Sequence, residues 1–142
     1  MRDFEAFEER YKQGLVNTAS VPRVALLLYD RLLLLHKEAI TCIDEPLALR
    51  RLLQQAHAIM SHLANLFMQS DDPAWQALHL SHDRQARQLG WLFRQPRVEL
   101  SHLADSAGQI RAFQEAWDQQ LRIRRRQPVT GLNVRRLTSN GL

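Results

Sequence analysis

Residues 46–67 read PLALRRLLQQAHAIMSHLANLF, and this stretch decides the fold class. Leu49, Leu52, Leu53, Ala56, Ile59, Met60, Leu63, Leu66 and Phe67 recur at steps of three and four. That spacing lines one face of an α-helix. Pro46 stands just behind Asp44, a side chain suited to capping, and proline does no harm in a first helical turn.

The same layout repeats on both sides. Pro22 near Ser20, Pro73 after Asp72 and Pro96 after Gln95 mark further helix starts, and the segments between them contain almost no β-branched runs. Trp75, Leu78, His82, Ala86, Leu89 and Phe93 form a thinner stripe in the third segment. Leu100, Leu103, Ala107, Ile110, Phe113, Trp117 and Leu121 form the fourth. Helices are expected at about 20–44, 46–69, 73–95 and 97–126. With loops this short they make an all-α, antiparallel up-and-down four-helix bundle, one domain spanning 1–126.

The first long helix is unlike the others. Arg23, Asp30, Lys37 and Asp44 recur by sevens, and nearly everything else from Val24 to Leu35 is apolar. Such an arc is wider than one core seam needs. Either the helix is covered on two sides, in part by the N-terminal segment, or part of the arc lines a groove for another chain. Both hold if the cover is removable. In that N-terminal segment Phe4, Phe7 and Tyr11 share a face, Asp3 is placed to cap and Gly14 to end a short helix. Residues 1–14 thus read as a flap, or more plainly as a fifth packed element.

The chain has 142 residues and a formal net charge of +4. Six of its 19 basic residues follow Asp118 and no acidic residue does, which leaves 13 basic against 15 acidic in residues 1–118. The body is slightly acidic, and the positive excess belongs to the C-terminal end. Residues 127–142 read as a flexible basic tail. Its sharper alternative is a nucleic-acid contact, but no aromatic residue follows Trp117 to stack on a base. No nucleic-acid partner is expected.

Much chemistry is missing. The five glycines never cluster into a phosphate loop, and Cys42 stands alone, which excludes a disulfide framework. Glu99 and His102 make one Glu-x-x-His step, whereas a di-iron bundle needs two. No metal, cofactor or catalytic set is expected, so the reading is not an enzyme. The start MRDFEAFEER lacks a signal peptide's apolar core, and Val24–Leu35 is too short and too charged to cross a bilayer. A cytoplasmic protein without membrane insertion is expected.

Residues 11–30, YKQGLVNTASVPRVALLLYD, resemble the opening of the flagellar export chaperone family FliS. Tyr11, Val16, Asn17, Thr18, Ala19 and Ser20 match that family's entry turn, and Leu27, Leu28, Tyr29 and Asp30 its Met-Leu-Tyr-Asp-like step. Looser similarity covers Ala58–Leu66, Asp83–Leu89 and Glu115–Trp117, in the family's order. Proline stands one place late, at Pro22, and His82 and Arg84 occupy positions where the family often has tyrosines. The resemblance implies a four-helix bundle that binds the disordered C-terminal segment of flagellin through apolar grooves. It further implies that binding blocks premature polymerisation and aids delivery to the flagellar export gate. On that basis Tyr11, Val16, Leu28, Tyr29 and Leu32 are expected to contact the partner. Phe4, Phe7 and Tyr11 would form the flap, and Thr18 and Ser20 the helix cap. Two alternatives stand: a diverged bundle serving another secretion substrate, and a helical protein acting on nucleic acid through its arginine tail.

Overall fold

The computed structural model describes residues 21–69 and 71–126, with side chains over 21–68 and 71–120. Among these residues there are four α-helices and no strand: α1 (Val21–Thr41), α2 (Pro46–Leu66), α3 (Pro73–Phe93) and α4 (Leu100–Arg126). One 3-10 turn, Phe67–Gln69, follows α2. The first three helices have 21 residues each. Connections as short as 42–45 and 94–99 cannot run back along such lengths, so consecutive helices are antiparallel. The flap residues Phe4, Phe7 and Tyr11, the cap residues Thr18 and Ser20, and the tail 127–142 lie outside the described residues.

The apolar stripes meet in one core. Leu53, Ile59, Met60, Leu63, Leu66 and Phe67 are buried along α2, facing Tyr29, Leu32 and Leu35 of α1. Leu89 and Leu92 of α3 and Leu103 and Ile110 of α4 complete it. Helix α2 packs most extensively on α3, and α1 packs on both α2 and α4. Backbones of α3 and α4 approach each other over only a short stretch. No described helix is long and apolar enough to cross a membrane.

Several boundaries differ from expectation. Helix α1 stops at Thr41, because the Cys42 N–H is shared between the Glu38 and Ala39 carbonyls (both 3.1 Å) and Ile43 N–H turns to Ile40. That tightening ends the helix before Asp44. The N-cap of α2 is accordingly Glu45, whose side chain makes no capping hydrogen bond. Asp72 does cap α3, accepting from the Ala74 N–H at 2.8 Å.

Helix α4 begins at Leu100 instead of 97. Pro96 stays in the loop, half-buried Val98 holds the chain against the core, and Glu99 accepts the first helical N–H groups. The late start leaves Leu100 54% exposed, so Leu103 is the first core residue of α4.

Candidate functional site

Inside the bundle, three helices share a polar contact among aromatic rings. The Trp117 indole N–H donates to the Tyr29 hydroxyl oxygen at 3.1 Å. An indole nitrogen only donates, so the Tyr29 hydrogen is left for His82 Nε2, 2.6 Å away. His82 Nδ1 must then carry the ring proton, and it donates to the Leu78 carbonyl at 2.8 Å. Phe113 stacks on His82 with centroids 3.9 Å apart, and Phe67 meets the same ring edge-on at 4.7 Å.

Burial sets the protonation states here. Desolvation drives the Tyr29 hydroxyl well above its ordinary pKa, against the smaller opposing effect of the Trp117 hydrogen bond. It pulls His82 down to about 4, outweighing the Leu78 hydrogen bond, and His79 repels charge in the same direction. Both groups are therefore neutral at neutral pH.

A second network lies two turns further along α1. His36 Nδ1 donates to the Leu32 carbonyl at 2.8 Å, so its Nε2 accepts from the Ser106 hydroxyl, also at 2.8 Å. Gln85 donates its amide N–H to the same hydroxyl oxygen at 3.1 Å. Burial lowers the His36 pKa, the Leu32 hydrogen bond opposes this, and Arg111 adds to the lowering.

Of the residues expected to contact a partner, Tyr29 and Leu32 have no exposed surface and belong to the core. Leu28 is half-buried against the same core. Tyr11 and Val16 lie outside the described residues.

Helix α1 also carries exposed apolar side chains. Leu27 is 69%, Leu34 44% and Ile40 41% exposed. Between α1 and α4 runs a cavity of about 400 Å³, lined by Leu33, Leu34, His36, Lys37 and Ile40 from α1 and Ala107 and Arg111 from α4. Ala107 is small enough to leave the space open, and Lys37 and Arg111 place positive charge beside it. One turn beyond Arg111, Gln114 donates to the Asp30 carboxylate at 2.6 Å and ties the two helices together.

No family model, curated protein or solved structure matches the chain. An apolar floor of Leu33, Leu34 and Ile40 with two cations beside it suits the nonpolar face of a peptide carrying acidic residues.

Among the described residues, no group of three or more His, Cys, Asp or Glu is placed to hold a metal ion. The Glu99–His102 step is occupied internally: the Glu99 backbone N–H donates to His102 Nδ1 at 3.2 Å, and the His102 ring stands edge-on to Trp91. Periodicity places Leu34 in the over-wide Val24–Leu35 arc of α1 and Ala107 on the apolar stripe of α4. It carries no signal for Ile40 or Arg111, and the pattern of one helix does not say which neighbour it will meet.

Proposed function

We propose that the protein is a cytoplasmic export chaperone that binds the disordered C-terminal segment of flagellin, prevents its premature polymerisation and helps bring it to the flagellar export gate. The observation that carries this reading is the α1–α4 cavity, with the exposed Leu34 and Ile40 in its lining. These residues come soon after the Tyr11–Asp30 stretch that resembles the FliS entry. The role is one of binding, with no cofactor and no catalytic step. A disordered segment loses chain entropy on docking, and burial of its apolar residues against Leu33, Leu34 and Ile40 offsets that loss.

The test is calorimetry of the full chain with the C-terminal segment of flagellin from the same organism. A saturable complex is expected, and Leu34→Asp should weaken it at least about tenfold by placing a charge on the apolar floor. Leu34 is partly exposed, so the variant should keep its thermal transition. Absence of any complex with flagellin would end the reading.

A further inference from the structure

A second cleft lies where the α1–α2 turn meets the α3–α4 loop. Its volume is about 380 Å³, at the lower end of the roughly 300–1,000 Å³ seen for ligand clefts. Leu49 and Leu53, both buried, and half-buried Phe93 and Val98 give it an apolar floor. Pro46 at the start of α2 and Pro96 in the α3–α4 loop stand in its walls.

The rim is cationic. Arg50 reaches it from the first turns of α2 and Arg97 from the α3–α4 loop. Among the described residues neither guanidinium forms an ion pair, in contrast to Arg87, which is bonded to Asp83. Asp44 also lines the cleft, leaving two positive groups against one negative. Gln95 is pinned there by donating its amide N–H to the Trp91 carbonyl at 3.1 Å, which keeps its side-chain oxygen as an acceptor.

We propose that this cleft binds the C-terminal residue of a polypeptide that ends in an apolar side chain. The side chain fills the floor of Leu49, Leu53 and Phe93. The terminal carboxylate lies between Arg50 and Arg97, whose planar guanidinium groups match a carboxylate's two oxygens. The Gln95 oxygen accepts a peptide N–H next to that terminus, a donor that a simple aliphatic acid lacks. Asp44 disfavours ligands with a second acidic group near the end. The proposal does not rest on the α1–α4 groove, which is built from other residues.

The experiment is an NMR titration of the full chain with N-acetyl-Leu-Leu as the free acid, its C-terminal amide, and octanoate. Shifts confined to residues 43–53 and 93–98 are expected, with the free acid binding at least about tenfold more tightly than the amide. Arg50→Gln and Arg97→Gln should each weaken the free acid several-fold, leave the amide unchanged and keep the thermal midpoint. Equal binding of acid and amide, or no shifts in these residues, would overturn the proposal. Octanoate binding as tightly as the dipeptide would overturn the peptide terminus in favour of a simple aliphatic acid. Flagellin binding at the α1–α4 groove is read separately, so either result stands without the other.

Discussion

Helix α3 is held to its two neighbours in opposite ways. Against α2 the backbones lie close, and Gly90 permits this: a Cβ there would sit 3.2 Å from His57 Nε2. His79 of α3 also donates to the Ala64 carbonyl of α2 at 2.8 Å, directly linking the two elements. Against α4 the backbones stay apart and side chains fill the gap, through the His82–Phe113 stack and the Gln85–Ser106 hydrogen bond. The first seam depends on shape and the second on polar atoms that must remain paired. The close seam resists larger side chains, and the bridged seam is sensitive to acid through His82.

Acid gives the largest expected effect on the bridged seam. His82 takes up its proton near pH 6.5 in the unfolded chain but only near pH 4 in the fold. The unfolded state thus binds more protons in that window, and stability falls as pH drops from 6.5 to about 4, then levels. The shift corresponds to about 3 kcal/mol lost, to order of magnitude. His36, also lowered by burial, acts in the same direction. Urea midpoints measured between pH 7 and pH 4 should show this loss, and His82→Leu should flatten most of the slope. A slope unchanged in that variant would mean the bridged seam does not sense acid through His82.

Next in size is overpacking of the close seam. Gly90→Val should destabilise by about 2 kcal/mol, because a branched side chain has no room beside His57. A Gly90→Val protein as stable as the parent would show that α2 and α3 can part cheaply, and would remove the contrast between the seams.

The two seams also differ in how far sequence patterning exposes them. The α2 stripe from Leu49 to Phe67 identifies its core face almost residue by residue, since only Leu52 is half-buried. His82 stands on the α3 stripe and is indeed fully buried, and Asp72 caps as its type and position suggest. Leu100 misleads because Pro96 delays the start of α4 and moves the first turn out of the core. The His36–Ser106–Gln85 network is invisible beforehand. Its members are 70 and 21 residues apart, and nothing local marks a serine on α4 as the partner of a histidine on α1. The Tyr29 hydroxyl likewise has interior partners, His82 and Trp117, that no periodicity names.

The smallest effect tests whether the bridged seam needs its pairing or only its rings. Tyr29→Phe keeps the ring that stacks on Phe113 at 6.0 Å but removes the oxygen serving both Trp117 and His82. If pairing matters, the indole N–H loses its acceptor and buried His82 Nε2 loses its donor, at a cost of about 1.5 kcal/mol. The Trp117 side chain is only half-buried, so water can relieve its N–H, which keeps this below the cost of two fully buried losses. Chemical denaturation of Tyr29→Phe at pH 7 measures it. A change near zero would place the stabilisation in the stacked rings alone. The bridged seam would then resemble the close one in depending on shape, with its polar atoms contributing only sensitivity to acid.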